Sequence, residues 1–258
     1  MKKLTLVKIG GNVINNKKAL SSFLHDFSEL KGLKILVHGG GKKASELSNK
    51  LGLESTMIGG RRVTDQATLE IVTMVYAGLL NKNIVAELQS LACNAIGLSG
   101  ADGNLIKSHK RIVQEIDYGF AGDIDAVNTE TLAIFLEKKL TPVLCAITHD
   151  NKGQLLNTNA DTIASEVAKA LSELYQVELI YCFEKNGVLL DVNDENSVIE
   201  DIDHRQYEKL KQEGAIADGM LPKLENCFSS LQHGVMKVRI GKPELIADKG
   251  IKHSILSL

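Results

Sequence analysis

Residues 4–11 read LTLVKIGG and residues 34–42 read KILVHGGGK, and the two stretches have the same organisation. Each is a short apolar run, partly β-branched, that ends in glycines. Runs of this length predict buried strands rather than helices. Lys8 interrupts the first run, and burying a lysine is costly unless an anionic group meets it. Lys8 therefore either extends toward solvent from the strand end or faces a ligand.

The rest of the chain alternates between strand-like and helical patterns. Further strand-like runs are NAIGLSG (94–100), PVLCAI (142–147), ELIYCF (178–183) and KVRIG (237–241). Leu69, Val72, Tyr76 and Leu79 recur at helical spacing and predict one buried face of a long helix. This alternation predicts an α/β fold with a central, mainly parallel sheet that is covered by helices.

Two segments depart from the alternation. STMIGGRRVTD (55–65) predicts a hairpin, and the polar stretch 100–128 predicts hairpins that project from the sheet. The chain has only three prolines, and no Pro-rich hinge divides it. We expect a second lobe to begin near the helical pattern ADTIASEVAKAL (160–171).

Composition excludes several classes of function. The chain has 258 residues, a formal net charge of -2 and 4% aromatic residues, so neither nucleic acid nor an anionic membrane is an expected partner. No apolar run approaches the roughly 20 residues of a membrane span, and no signal-peptide pattern precedes the first strand. The four cysteines form no CxxC pair and the seven histidines no HExxH motif, so we expect reduced thiols, a cytoplasmic protein and no protein-built metal site.

Glycine turns follow three of the predicted strands, at residues 8–11, 38–42 and 97–103. Glycine lets backbone N–H groups approach a phosphate, and in α/β sheets ligands bind beyond the carboxyl ends of the strands. Neither a Walker A motif nor GxGxxG is present, which disfavours P-loop and Rossmann nucleotide sites. Any one of these turns is weak evidence by itself, because tight turns need glycine anyway, and for HGGG (38–41) alone the structural and functional explanations are about equal.

Two later segments strengthen the case for a ligand site. Asn157, Asn159 and Asp161 alternate along an apparently extended stretch, as side chains on one face would, although one of them can simply cap the helix that follows. Lys223 follows Pro222, a residue suited to a first helical turn, and taken alone Lys223 is better explained as a solvated lysine.

Taken together, seven segments in order resemble the amino acid kinase family, and within it the acetylglutamate kinases. The segments are KIGGN (8–12), VHGGGK (37–42), GGRRVTD (59–65), GLSGADG (97–103), GFAGDIDAVN (119–128), LLNTNAD (155–161) and ADGMLPKLEN (217–226). Carbamate kinases, glutamate 5-kinases and UMP kinases share the first glycine turns. They are not expected to combine GGRRVTD with LNTNAD and DGMLPK.

The resemblance implies a three-layer sandwich with two lobes. Residues 1–160 would bind the acyl-glutamate and dimerise, and residues 161–258 would bind ATP. The implied reaction transfers a phosphoryl group from ATP to the γ-carboxylate of N-acetyl-L-glutamate, in arginine biosynthesis. Mg²⁺ would accompany ATP and be held mostly by phosphates, so no protein metal ligand is expected.

The resemblance also implies roles for individual residues. Lys8 and Lys223 would flank the transferred phosphoryl group, with Asp161 between them as the residue that holds both. Backbone N–H groups of Gly10, Gly11, Gly40 and Gly41 would meet phosphoryl oxygens. Arg62 would bind the α-carboxylate, and Asn157 and Asn159 would orient the acyl-amino end.

Two departures from the family pattern affect the nucleotide lobe and regulation. CFEKNGVLLD (182–191) stands where relatives commonly have a Ser-Asp-x-x-Gly type of segment, which leaves Glu184, Lys185 and Gly187 as candidate nucleotide contacts. The first strand starts by about residue 4, which leaves no room for the extra helix of arginine-inhibited hexameric members. We therefore expect an arginine-insensitive homodimer.

Three other functions remain open at this point. The same reaction on N-succinyl-L-glutamate is the nearest, because the sequence does not resolve the acyl pocket. Glutamate 5-kinase is disfavoured by GGRRVTD. A catalytically silent sensor with the kinase fold is the alternative from another class.

Overall fold

A computed structural model describes residues 1–59, 61–213, 220–248 and 250–258. Four residues of the motifs above, Gly60, Ala217, Asp218 and Gly219, lie outside the described residues.

Strands and helices alternate along the described chain. The strands are β1 (Lys2–Ile9), β2 (Leu33–His38), β3 (Met57–Ile58), β4 (Arg61–Arg62), β5 (Ala95–Leu98), β6 (Ile106–Lys110), β7 (Gly122–Val127), β8 (Thr141–Cys145), β9 (Ile147–His149), β10 (Leu155–Asn157), β11 (Tyr175–Cys182), β12 (Asp201–Ile202), β13 (Lys237–Gly241) and β14 (Ser254–Leu256). The α-helices are α1 (Gly11–Asn15), α2 (Lys17–Glu29), α3 (Gly41–Lys50), α4 (Gln66–Thr73), α5 (Asn81–Ser90), α6 (Thr129–Glu137), α7 (Ala160–Ser172), α8 (His204–Gln212) and α9 (Leu221–Gln232). A π-helical segment, Met74–Leu80, joins α4 to α5, and 3₁₀ turns occupy Asp102–Asn104 and Pro243–Ile246.

The main sheet of the described chain has eight strands in the order β12-β14-β13-β11-β1-β2-β8-β5. All pairs are parallel except β13 with β14. Neighbouring residues of a strand point to opposite faces, and both Leu6 and Val7 of β1 are fully buried. The sheet is therefore covered on both sides, as in the predicted three-layer α/β sandwich.

The predicted hairpins are present. β3 pairs with β4 in an antiparallel hairpin, and β6 pairs antiparallel with β7. β6 and β7 belong to a second sheet of the described chain, in the order β10-β9-β6-β7, which the sequence pattern did not indicate. This second sheet brings the end of β10, and with it Asn157, to the edge of the main sheet.

Short polar side chains cap the starts of several helices. The side chains of Asn16, Asp65, Asn128, Asn159 and Asp203 each accept a hydrogen bond from a backbone N–H in the first turn of the following helix. Such caps satisfy donors that have no partner inside the helix. The cap by Asn159 fixes where α7 begins, and therefore where Asp161 lies.

The π-helical segment corrects one sequence-based expectation. Leu69, Val72 and Tyr76 are buried as predicted, but Leu79 is 49% exposed and Leu80, at 8%, takes the buried position. A π-helix has more residues per turn than an α-helix, so the buried face moves one residue along the chain. Local periodicity assumes a constant turn and could not show this shift.

The continuous helical run Gln66–Ser90 is long and apolar enough to cross a bilayer, judged by length and composition alone. In the described structure 44% of its most apolar window is buried inside the protein. Its buried side chains, which include Leu69, Val72 and Ile84, belong to the hydrophobic core.

Candidate active site

A cleft of about 220 Å³ opens at the carboxyl ends of β1 and β2, beside the β3–β4 hairpin and the end of β10. Its wall includes most of the residues that the sequence singled out. These are Lys8, Gly10, Gly11, Gly40, Gly41, Arg62, Asn157, Asn159 and Asp161. Parallel strands deliver their carboxyl ends to one edge of the sheet, and for this reason segments far apart in sequence meet here.

The glycine turn after β2, at Gly39–Gly41, is closely packed against the π-helical segment. A Cβ atom at Gly40 would lie 2.5 Å from Leu80 Cδ1 and 2.7 Å from Tyr76 Cδ1, so no larger residue fits. Tyr76 and Leu80 both belong to the π-helical segment, which therefore supports the turn. Helix α3 begins at Gly41, so its N-terminal end, with its partial positive charge, borders the cleft.

Lys8 and Asp161 form a largely buried ion pair at the floor of the cleft. Lys8 Nζ lies 2.6 Å from Asp161 Oδ1, and the two side chains are 12% and 14% exposed. Burial by itself would raise the pKa of the Asp161 carboxyl, but the charges of Lys8 and Lys223 together hold that pKa below its ordinary value. Asp161 is therefore a carboxylate at neutral pH, and Lys8 has a fixed counter-charge.

Lys223 approaches the same place from the first turn of α9. It borders a small cavity together with Lys8, Asp161 and Phe183. Its Nζ lies 5.4 Å from the centroid of the Phe183 ring, a cation–π distance. Asp161 thus contacts Lys8 directly, whereas it acts on Lys223 through charge at longer range.

Arg62 is held rigidly in the wall of the cleft, against helix α3. The side chain is 7% exposed, and Nη2 donates to Gly41 O and Ser45 Oγ, both at 2.9 Å. Among the described residues Nη1 is buried without a hydrogen-bond partner. A buried donor without a partner carries a free-energy cost, which an anionic ligand group would remove.

Asn157 and Asn159 are placed by different interactions. Asn157 Nδ2 donates to Thr64 Oγ1 at 3.0 Å, which ties the end of β10 to the chain just after β4. Asn159 Oδ1 accepts from the backbone N–H of Asp161 at 2.7 Å and of Thr162 at 3.2 Å. Asn159 is thus the helix cap that the sequence allowed for, and it lines the cleft as well.

The nucleotide-lobe candidates lie apart from the cleft, past the carboxyl end of β11. Glu184 is exposed, and Lys185 Nζ lies 3.5 Å from Glu195 Oε1. Lys242, past the end of β13, lies 2.9 Å from the other oxygen of the same carboxylate. Gly187 packs against Ser254, where a Cβ atom would lie 2.6 Å from Oγ. None of the three candidates lines the cleft or the cavity beside Lys223.

The cleft is rich in cations and poor in nucleophiles. Lys8, Arg61, Arg62 and Arg111 all line it. No cysteine is among its lining residues in the described chain; Cys182 borders the small cavity beside Lys223, where burial raises its pKa to about 12, so it stays protonated. This arrangement suits the binding of anions and the stabilisation of negative charge that develops during a reaction.

Sequence reasoning missed several residues of the site. Arg111 lines the cleft and forms an ion pair with Asp123, and Tyr76 lies beneath the glycine turn. His38 is fully buried directly before that turn. The position of His38 directly before GGGK could have drawn attention to it. The local sequence does not show, however, which groups a buried side chain contacts.

Comparisons with known proteins agree with the resemblance in the sequence. A model of the amino acid kinase family matches residues 3–242. An acetylglutamate kinase of Cytophaga hutchinsonii is 54% identical over 249 residues, covering 96% of this chain and 94% of the relative. An acetylglutamate kinase of Parabacteroides distasonis is 52% identical over 240 residues, covering 93% and 94%. The resemblance to this group of kinases is confirmed.

Solved structures agree on the fold. The chain matches N-acetylglutamate synthase from Neisseria gonorrhoeae, complexed with coenzyme A and N-acetyl-glutamate, with a TM-score of 0.83 at 18% identity over 99% of this chain and 59% of that one. It matches carbamate kinase from Giardia lamblia bound to AMP-PNP with a TM-score of 0.69 at 15% identity over 99% and 98%. At such identities the likeness concerns the fold alone, and it confirms the predicted fold class.

Proposed function

This chain belongs to the amino acid kinase family, and we propose that it phosphorylates the γ-carboxylate of N-acetyl-L-glutamate with ATP, giving N-acetyl-L-glutamyl 5-phosphate and ADP in arginine biosynthesis. Acetylglutamate kinases that share about half of its residues over nearly its whole length support this assignment. The observation that carries the proposal is the placement of Lys8, Asp161 and Lys223 around one small cavity next to the Arg62 cleft.

The chemistry explains the composition of the site. A γ-carboxyl group has an ordinary pKa of about 4.3, so it is already ionised at neutral pH and needs no general base. One of its oxygens forms a bond to the γ-phosphorus of ATP while the bond to the bridging oxygen breaks, and ADP leaves with that electron pair. No proton moves. The obstacle is repulsion between two anions, which positioned cations reduce.

Different residues of the site would act on the transferred phosphoryl group in different ways. Lys8 and Lys223 stabilise charge on the transferred group from its two sides, and Asp161 holds Lys8 in place through the 2.6 Å ion pair. Gly10, Gly11, Gly40 and Gly41 offer backbone N–H groups to phosphoryl oxygens.

The acyl-glutamate would lie across the other end of the cleft. The unpaired Nη1 of Arg62 binds the α-carboxylate of the substrate, for which a guanidinium is suited. Asn157 and Asn159 orient the acyl-amino end. The substrate would thus be fixed at both ends, with its γ-carboxylate toward Lys8.

ATP would enter from the second lobe. We assign the acyl-glutamate to residues 1–160 and the nucleotide to residues 161–258, with Glu184, Lys185 and Gly187 as candidate contacts past β11. Mg²⁺ would be carried by the nucleotide, and the site fits this arrangement because the Asp161 carboxylate is already engaged by Lys8. Bound to the phosphates, Mg²⁺ supplies neutralising charge.

A homodimer is the oligomeric state that the surface supports. Among the described residues β5 pairs with β8 on one side only, which leaves an open sheet edge. Helix α5 packs against β5, and the π-helical segment before it exposes Met74 and Leu79. A second copy would cover both features. Replacing Met74 and Leu79 by glutamate should give a monomer in light scattering, and an unchanged mass would contradict this interface.

We place the enzyme in the cytoplasm. All four cysteines are buried free thiols, which is typical of proteins in a reducing compartment.

N-Succinyl-L-glutamate is a second candidate substrate, and a specific observation favours it. Arg61 and Arg111 line the cleft in addition to Arg62, and both also line an adjoining open groove with His109 and Asp123. An acyl group that ends in a second carboxylate would meet a guanidinium there. N-Acetyl-L-glutamate has no group that requires these two arginines.

The deciding experiment is an ATP-dependent assay in which hydroxylamine traps the acyl phosphate. N-Acetyl-L-glutamate, N-succinyl-L-glutamate and L-glutamate are compared side by side. Turnover of one N-acyl substrate with little turnover of L-glutamate supports the proposal and identifies the acyl group. A protein that binds ATP but turns over none of the three would be a sensor, and the proposal would be wrong.

A further inference from the structure

His38 is a fully buried titratable side chain that the mechanism above does not use. It is the last residue of β2, directly before the glycine turn. Its Nδ1 lies 2.8 Å from the carbonyl oxygen of Gly39. Its Nε2 lies 3.1 Å from Nδ2 of Asn81, the first residue of α5.

The contacts of Asn81 determine which ring nitrogen carries the proton. Asn81 Nδ2 also lies 3.0 Å from the carbonyl oxygen of Val143, which can only accept. Asn81 Oδ1 lies 3.2 Å from Lys82 Nζ, which can only donate. The amide nitrogen therefore faces His38, so Nε2 must accept and Nδ1 must carry the hydrogen that goes to Gly39.

The hydrogen bond to Gly39 has a consequence for the next residue. In a trans peptide the C=O and the following N–H point in opposite directions, and the described chain contains no cis peptide bond. Because the Gly39 carbonyl points at the His38 ring, the Gly40 N–H points away from it, toward the cleft that Gly40 lines. Neither Gly40 nor Gly41 donates its N–H within the described chain.

We propose that His38 is a positioning residue: its Nδ1–H holds the Gly39–Gly40 peptide so that the Gly40 N–H donates to the transferred phosphoryl group. This inference rests on the proposed phosphoryl transfer. The role needs a neutral ring with a fixed tautomer, and Asn81 supplies the tautomer.

Burial supports the neutral state. Removal from water lowers the pKa of His38 to about 4, the positive charge of Lys82 lowers it as well, and the Gly39 carbonyl opposes them in part. His38 therefore does not titrate across the physiological range, and Nδ1 remains a donor while Nε2 remains an acceptor.

Two substitutions separate positioning from packing. The amide nitrogen of asparagine reaches about as far from the backbone as Nδ1, and the amide oxygen of glutamine reaches about as far as Nε2, where it can accept from Asn81 Nδ2. His38→Asn keeps a donor for Gly39, whereas His38→Gln keeps only the contact with Asn81. We expect kcat to fall about 100-fold in His38→Gln and less than about 10-fold in His38→Asn, with KM for the acyl-glutamate within about 2-fold of wild type in both.

A purely structural role predicts the opposite order, because asparagine removes more buried volume than glutamine. Equal kcat values in the two variants, or a larger loss in His38→Asn, would overturn the inference. Urea unfolding of both variants shows what fraction is folded in the assay. If wild type itself forms no acyl phosphate, it is the proposed function that fails, so the two failures are distinguishable.

A second measurement needs no variant. Long-range ¹⁵N–¹H correlation spectra of the wild-type imidazoles report which ring nitrogen is protonated. We expect His38 to show the neutral Nδ1–H form without change between pH 6 and pH 8. A neutral Nε2–H form, or a titration in that range, would contradict the proposal even if both variants fail to fold.

Discussion

The two sides of the site are built differently. In residues 1–160, where we propose that the acyl-glutamate binds (the acyl side), His38 and Thr64 are fully buried and hydrogen-bonded, and Arg62 is 7% exposed. On the nucleotide side, Lys185 and Lys242 are each 34% exposed and share the carboxylate of Glu195, which is 48% exposed. A buried hydrogen bond is costly to break, whereas an exposed ion pair contributes little. We therefore expect the proposed acyl side to be fixed in place before substrate binds, and the proposed nucleotide side to be held less firmly.

The two lysines show the same contrast. Lys8 lies in the interior of the main sheet and has a carboxylate partner at 2.6 Å. Lys223 lies in the first turn of α9 above an aromatic ring, at 5.4 Å. The two residues would do similar chemistry, but only Lys8 is also part of what holds the fold together.

The most direct test of this contrast between Lys8 and Lys223 is to replace each lysine by methionine. Both variants should lose about 100-fold or more in kcat, because each loses a charge that stabilises the transferred group. Lys8→Met should also lose about 3 kcal/mol of stability and Lys223→Met less, because only Lys8→Met leaves the Asp161 carboxylate buried without its direct ion-pair partner. Product formation and urea unfolding measure the two effects separately.

Lys50→Met is the matched control, since Lys50 is exposed at the end of α3. It should change neither kcat nor the urea midpoint. Equal stability losses in Lys8→Met and Lys223→Met would show that the two lysines are held alike and would remove the contrast between them.

The second test acts on the acyl side alone. Arg62→Lys keeps the charge but loses the planar group that contacts Gly41 and Ser45 and leaves Nη1 for the substrate. We expect KM for the acyl-glutamate to rise about 10- to 100-fold while KM for ATP changes little. Steady-state kinetics with each substrate varied in turn measure this.

Arg61→Lys is the control for Arg62→Lys, because Arg61 is the exposed neighbour in the same strand. A rise in the KM of N-succinyl-L-glutamate alone in this variant would favour the second candidate substrate. Equal rises for both nucleotide and acyl-glutamate in Arg62→Lys would show that the two sides are not independent.

A third test uses pH. The pKa of Asp161 is lower in the folded protein than in the unfolded chain, so its ionised form stabilises the fold. That contribution is complete above the unfolded pKa of about 3.9 and is lost as pH falls through the still lower folded pKa. Asp161→Asn should therefore lower the urea midpoint equally at pH 7 and pH 5. The difference in urea midpoint between wild type and Asp161→Asn should become smaller below about pH 4. A difference that grows there would contradict the lowered pKa of Asp161.

The smallest effect is expected on the nucleotide side. Glu195→Gln removes the carboxylate shared by Lys185 and Lys242. Because these groups are exposed, the urea midpoint should not change measurably. If the two lysines contact nucleotide phosphates, their release should lower KM for ATP slightly, and the change should vanish at high salt. A large loss of stability would show that the Glu195 ion pairs do stabilise this part of the fold.

Local pattern in the sequence was enough for most of the fold. Apolar runs such as residues 178–183 formed strands because their own residues decide their burial, whereas the run 142–147, predicted as one strand, is divided between β8 of the main sheet and β9 of the second sheet. The glycines and polar residues at strand ends reached one cleft because parallel strands share an edge. The features that the sequence did not predict depend on contacts between segments that are far apart in the chain. The buried Leu80 results from a π-helical turn, and the His38–Asn81 contact joins residues 43 apart in sequence.

The nucleotide side was the least predictable region for a related reason. Glu184 and Lys185 were singled out as departures from a family pattern, and the structure shows Lys185 paired with Glu195 in a later loop. Nothing periodic marks such a loop contact. Contacts between exposed side chains produce no regular sequence pattern, whereas buried strands produce a clear apolar pattern.

The position of β1 in the sheet also affects how the protein is made. This strand pairs with β2 on one side and with β11 on the other, so residues 2–9 meet residues 175–182. During synthesis β1 leaves the ribosome before both of its neighbours, and β11 follows some 170 residues later. Until then β1 has one open edge, where unpaired backbone groups invite wrong partners. The strand that carries Lys8 is thus made long before its pairing in the sheet is completed, and we expect nascent chains that stop before β11 to need protection from chaperones.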